Sequence, residues 1–340
     1  MSFAISTFHG QAGNQSGTVY RLGDPAGRCR AEIWPFCGFN CLRWQVQTAE
    51  GRLGDLLYTA PDWATNPVPT RSGHPVLFPF PNRLRAGRFT ANGRVLQLPL
   101  NDSSQNHAIH GFTPRNSWRV LKTSTGSESA TISGQFRLRQ DRPDLAELWP
   151  GDGAITLTYM LYPSALQVEA MIENFGTEPL PFGLGYHPYF QIPTAAGAAV
   201  DELILQTKAS RLWRLQDNIP DGNSLPVPPE LDFRAPRELG PVMLDHLYGG
   251  LEAASPTTNG RAVIATLSHR SAPGRLEIEA DSAFGHLVLF TPPHRQAIAI
   301  EPYTCITDAA NLSRTIPDSG WRLVKPGEKV MLSVRYRWYC

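Results

Sequence analysis

Apolar and polar positions alternate with a period of two over much of this chain, and that period predicts β-strands. Residues 31–34 and 41–47 form two such runs on either side of a turn at Gly38, Phe39 and Asn40. Further runs cover 95–100, 130–138, 154–161 and 166–173, separated by turn residues, and the series continues at 202–206, 262–267, 276–280 and 286–290. Residues 321–324 and 330–338 read as a closing hairpin about Pro326 and Gly327, a pair suited to a tight turn. Helical periodicity is scarce; only 144–148 suggests one or two turns. Residues 217–238, rich in Pro and Asp, read as a long surface loop. Strands at short intervals with turns between them predict an all-β fold, a large antiparallel sandwich.

Composition narrows the class without naming a function. The length of 340 residues suggests two domains by itself, but all-β units often run longer as one. A net charge of +1 gives no reason to expect nucleic acid or an anionic membrane. No apolar run reaches the ~20 residues of a membrane span, and no basic-then-apolar leader is evident. An odd set of five cysteines without regular spacing points to free thiols in a reducing cytoplasm.

The candidate chemistry sits in four short polar motifs. In 297–301 the alternation puts Ile298 and Ile300 on one face and Ala297, Ala299 and Glu301 on the other. Small residues leading to a carboxylate suit the floor of a groove, although a solvent-facing glutamate at a strand end has the same pattern. His187, between Tyr186 and Pro188, can donate a proton near neutral pH or be a satisfied core histidine. Its neighbours Tyr189 and Phe190 suit either a core or a ring-stacking platform. His107 and His110, three apart, raise a metal site with Asp102 as third ligand, but the segment has no helical frame, so no metal is expected. Asn82 and Arg83 offer donors for hydroxyls or a carboxylate. Arg71, Arg85 and Arg88 nearby suit a phosphate or plain solvent. Asp245 is a further acceptor for hydroxyls, or an ordinary turn residue.

In combination and order these motifs resemble the aldose 1-epimerase (galactose mutarotase) family. The resemblance runs over most of the chain and rests on Asn82-Arg83, His110-Gly111, His187-Pro188-Tyr189-Phe190 and Glu301-Pro302-Tyr303-Thr304; Asp245 aligns more loosely. It implies the family's β-supersandwich, with residues 1–340 as one domain. It also implies a small-molecule sugar substrate, no cofactor, and general acid–base ring opening. Glu301 would be the base that deprotonates the anomeric hydroxyl, and His187 the acid that protonates the ring oxygen, the two on opposite sides of the ring. Asn82, Arg83, His110 and Asp245 would hold the sugar. The stretch Arg71-Ser72-Gly73-His74-Pro75 departs toward a sister group that acts on hexose 6-phosphates. That group and a non-catalytic sugar-binding protein are the rival readings.

Overall fold

The structure, a computed structural model, describes residues 2–193, 200–251 and 260–340. Two large antiparallel sheets dominate. The first has nine strands, in the spatial order Arg119–Thr125, Ala130–Arg137, Gly153–Tyr162, Ala165–Asn174, Lys329–Tyr339, Arg275–Asp281, Arg261–His269, Leu203–Thr207 and Arg237–Glu238. Several of its strands alternate buried and half-buried residues along their length, so one face meets the core and the other meets water.

The second sheet has eight strands, and its centre is the pair His286–Phe290 and Ile298–Tyr303. Ile298–Tyr303 is buried at every position, on both faces. Its outer neighbours on one side are Asp245–Leu251, Ala209–Gln216 and Ile219–Pro226; on the other lie the short strands Gly185–Tyr186 and Val76–Leu77, with Tyr189–Phe190 also pairing to Ile298–Tyr303. A five-stranded sheet from Ala4–Ala12 to Leu53–Asp55 packs alongside, with Phe39, between its strands Cys29–Trp34 and Asn40–Gln47, packing its ring tilted against Tyr159 at 5.7 Å.

The inner faces of the two large sheets meet through aromatic and polar contacts. Phe190 packs on Tyr336 with ring centres 5.4 Å apart. His74, fully buried beside Val76–Leu77, places Nδ1 3.2 Å from the Tyr159 hydroxyl and Nε2 2.8 Å from the Tyr336 hydroxyl. Both ring nitrogens are therefore satisfied between the sheets, and burial pushes the imidazole down to about 3.

Two expectations are corrected. The closing hairpin does not pair with itself: Arg322–Val324 pairs with Leu180–Phe182, while Lys329–Tyr339 enters the nine-stranded sheet. The turn does form, with Glu328 N–H donating to the Lys325 carbonyl at 3.0 Å, but it joins two sheets. Residues 217–238 are not one loop. Ala209–Gln216 and Ile219–Pro226 make a hairpin about Asp217 and Asn218, both left-handed with φ of 51° and 61°, the conformation of a two-residue type I′ turn. The helical turns expected at 144–148 are a 3₁₀ segment, Pro143–Leu148.

Candidate active site

The parity of Ile298–Tyr303 decides where the chemistry can be. Ile298 and Ile300 face the core between the large sheets, so Ala299, Glu301 and Tyr303 face outward. There Ala297 and Ala299 pack with Tyr58, Tyr189 and Phe290 in a small apolar cluster. The registers put Val288 beside Glu301 and Asp245 beside Phe290. Loops from the other end of the chain wall this outer face, leaving a cavity of about 280 Å³. All six sequence-predicted residues line it: Asn82, Arg83, His110, His187, Asp245 and Glu301.

Glu301 is 1% exposed, so it is not the solvent-facing strand end that its pattern also allowed. Tyr303, two residues on and thus on the same face, donates its O–H to Glu301 Oε2 at 2.6 Å. Glu301 Oε1 lies 3.3 Å from His187 Nε2. The acid and base candidates are therefore in direct contact on one side of the cavity, not on opposite sides of a ring. Burial pushes the carboxyl well above its ordinary range; the Tyr303 bond opposes this and Asp245 adds to it. Burial likewise drives the His187 imidazole down to about 3. Both shifts favour neutral partners over an ion pair, despite the ion-pair distance, because burial strips both side chains of the water that would solvate their charges.

His187 is fixed from three sides. Its N–H donates to the Pro75 carbonyl at 2.9 Å, its ring stacks on Tyr189 with centres 4.7 Å apart, and the His110 ring meets it edge-on at 5.7 Å. The Tyr189 hydroxyl, 3.4 Å from His187 Nε2, donates to the Thr70 carbonyl. His187 Nδ1 is buried without a partner.

The facing wall is a small antiparallel strand pair, Arg83–Arg85 with His107–Ile109. Asn82 and His110 sit at its ends, both left-handed, with φ of 55° and 66°. They clamp each other: His110 N–H donates to the Asn82 carbonyl at 2.9 Å, and Asn82 N–H donates to His110 Nδ1 at 3.2 Å. Nδ1 is thus the acceptor, and the neutral ring carries its proton on Nε2. Burial, then the charges of His187, Arg115 and Arg83, hold His110 well below its ordinary value. Left-handed non-glycine residues of this kind concentrate where a binding surface over-determines the backbone.

Arg83 Nε lies 3.5 Å from Asp102 Oδ2. Asp102 is itself held by Ser104 O–H and by the N–H groups of Asn106 and His107; these bonds outweigh its burial and lower its pKa. Asp102 therefore anchors an arginine and does not join the two histidines. His107 turns away, its Nδ1 accepting from Ala86 N–H. Among the described residues no three metal-ligating side chains gather. Arg71, Arg85 and Arg88 do not line the cavity: Arg71 pairs with Asp62, Arg85 with Asp308, and Arg88 is exposed. Sequence reading left Tyr189 undecided and gave Tyr303 no role. The signal for Tyr303 was there, since the alternation that placed Glu301 places Tyr303 beside it.

The aldose 1-epimerase family model matches residues 20–337. The Escherichia coli (strain K12) protein YihR, itself described as uncharacterized, is 27% identical over 239 residues, 69% of this chain and 71% of that one. Rat galactose mutarotase is 27% identical over 173 residues, a match that spans about half of each chain, 49% of this one and 47% of the other. The crystal structure of a galactose mutarotase-like protein from Clostridium acetobutylicum superposes with a TM-score of 0.84 at 23% identity, covering 99% of both chains.

Proposed function

The chain belongs to the aldose 1-epimerase family, and on that premise we propose that it interconverts the α and β anomers of a free hexose. Glu301 acts as base on the anomeric hydroxyl and His187 as acid toward the ring oxygen. One observation carries this reading: the two side chains, far apart in sequence, meet at 3.3 Å on the floor of a cavity edged by Arg83, His110 and Asp245. Both oxygens that exchange protons in mutarotation are bonded to the anomeric carbon, so an acid and a base in contact can reach both.

The protonation states balance. A neutral carboxylic acid beside a neutral imidazole holds the same number of protons as a carboxylate beside an imidazolium. Transfer of one proton across the Glu301–His187 contact converts the resting pair into the working pair. Sugar hydroxyls then replace the water that burial removed and stabilise the charges. Glu301 takes the proton from the anomeric O–H as His187 gives its own to the ring oxygen; the C1–O5 bond breaks and the aldehyde forms. Rotation about C1–C2 and the reverse transfers close the other anomer. His110 Nε2–H and Arg83 are donors for the sugar oxygens, and Asp245 is an acceptor at the rim.

The geometry favours an unphosphorylated sugar. Arg83 is balanced by Asp102, and the neighbouring arginines are paired or exposed outside the cavity, so among the described residues no cluster of free cations lines the cavity to take a phosphate. The test is polarimetry of freshly dissolved α-D-glucose and α-D-galactose. Glu301→Gln and His187→Asn are each expected to lower kcat at least ~100-fold, the lower range for a positioned acid or base, with the fold retained by circular dichroism. Native-like rates in either variant would sink the assignment.

A further inference from the structure

The candidate active site occupies one part of the outward face of the eight-stranded sheet. A second and larger cavity, about 460 Å³, opens further along the same face, and Arg211, Trp213, Ser224, Gly249, His286 and Asp318 are among its walls. Strand parity relates the two. His286, Val288 and Phe290 share one face of their strand; Val288 and Phe290 line the first cavity and His286 lines the second. Leu247 and Val288, packed with Trp213 and Ile316, form the ridge between them. A two-residue step along a strand is about 7 Å, so the floors are adjacent.

Two polar atoms in the second cavity lack partners. Trp213 Nε1 and His286 Nδ1 make no hydrogen bond, although their residues are only 7% and 6% exposed. Both converge on Gly249, where an added methyl would lie 2.9 Å from Trp213 Nε1 and 3.5 Å from His286 Nδ1. Only glycine leaves that approach open. The two nitrogens are complementary. An indole N–H can only donate. His286 Nε2 faces the Asp318 carbonyl at 3.1 Å, so it carries the ring proton and Nδ1 is left as an acceptor. Burial holds this imidazole down at about 4, which keeps it neutral. A donor beside an acceptor matches one hydroxyl group, which gives and takes hydrogen bonds. Arg211 is tied to Ser224 and offset by Asp318, so the cavity does not select a charged ligand.

We propose that this second cavity binds a neutral polyhydroxylated ring, with one ring hydroxyl bridging Trp213 Nε1 and His286 Nδ1 and the indole as an apolar wall. The ring has two sources: the second sugar of a reducing disaccharide whose first sugar occupies the active site, or a separate monosaccharide.

Saturation-transfer NMR with D-glucose and with maltose, on the full chain, tests this in native protein and in the Trp213→Phe, Gly249→Ala and Arg83→Ala variants. Trp213→Phe keeps most of the ring and removes the donor; Gly249→Ala closes the approach. Either is expected to weaken sugar binding at this site roughly three- to tenfold, the worth of about one hydrogen bond, with glucose mutarotation unchanged. If the ring belongs to a disaccharide, kcat/KM for maltose falls in these variants and that for glucose does not. If it is a separate monosaccharide, glucose contacts persist in Arg83→Ala and weaken when Trp213→Phe is added to Arg83→Ala. Sugar signals equal in native, Trp213→Phe and Gly249→Ala proteins overturn the proposal and leave the two nitrogens to ordered water. The readout is binding, so it stands apart from the mutarotase reading: absence of catalysis with these contacts present sinks only the latter.

Discussion

Glu301 costs the fold stability that a glutamine of the same shape would not. Its native pKa is raised, so above the unfolded value of about 4.3 the unfolded chain releases a proton that the native state retains. The stabilising contribution is present below that pH and is lost as pH rises through the native value. Glu301→Gln is therefore expected to melt higher than native protein at pH 7 in a thermal scan, and the difference to vanish below about pH 4. An equal melting temperature at pH 7 would count against a buried, neutral Glu301. Tyr303 acts on the same group in the other direction, because its O–H stabilises the carboxylate. Tyr303→Phe should shift the acid limb of kcat/KM to higher pH; an unmoved limb assigns Tyr303 to packing alone. At this scale the sequence was informative wherever a period-two count applied, as at Ala297, Ala299 and Glu301. The His187–Glu301 contact has no such periodicity and depends on chain pairing far away.

At the scale of the element, the strand pair that carries Asn82 and His110 depends on a position with no room for a side chain. Gly111 is left-handed at φ 65°, and a methyl there would lie 2.2 Å from the Phe78 carbonyl oxygen. Gly111→Ala is expected to cost at least ~2 kcal/mol in urea unfolding, from backbone strain and a clash with main chain. A loss below 0.5 kcal/mol, about the size of an ordinary surface change, would show that the strand pair can shift. The motif from Asn106 to Gly111 was legible as a candidate segment, and its His110 lines the cavity, but its pairing with Arg83–Arg85 was not legible. The closing turn shows the same limit more sharply. Pro326 and Gly327 signal a turn correctly, yet the partner of Arg322–Val324 is chosen by distant contacts: the Asn174 side-chain amide donates to the Val324 carbonyl at 2.8 Å and to Glu178 at 2.7 Å. The Asp217-Asn218 hairpin was missed for the opposite reason, since a prolines-and-aspartates composition obscured a local turn signal.

Across the whole molecule, the two large sheets depend on a polar contact as well as on apolar burial. His74 spans between them and satisfies the hydroxyls of both Tyr159 and Tyr336. His74→Phe keeps an aromatic ring of related size but strands the Tyr336 hydroxyl in the core and leaves the Tyr159 hydroxyl only its 3.5 Å bond to the residue 74 carbonyl. The expected cost is about 1–3 kcal/mol, the penalty for one unsatisfied buried group, read as a lower urea midpoint, while kcat per folded molecule stays close to native. An unchanged midpoint would mean that water reaches the hydroxyls. The antiparallel class and the composition of the site were readable in advance because each follows from local alternation and residue type. The assignment of strands to two sheets, and thus which face holds the cavity, was not.

The place of Lys329–Tyr339 between Ala165–Asn174 and Arg275–Asp281 has a consequence for how the molecule is made. A nascent chain that leaves the ribosome from its N-terminal end releases both flanking strands long before the strand that joins them. Until residue 329 has cleared the exit tunnel, the nine-stranded sheet exists as two pieces with open, unpaired edges, the surfaces most exposed to misassociation during synthesis. Completion of this fold is thus set by the arrival of one late segment, so its schedule belongs to translation as much as to chain collapse.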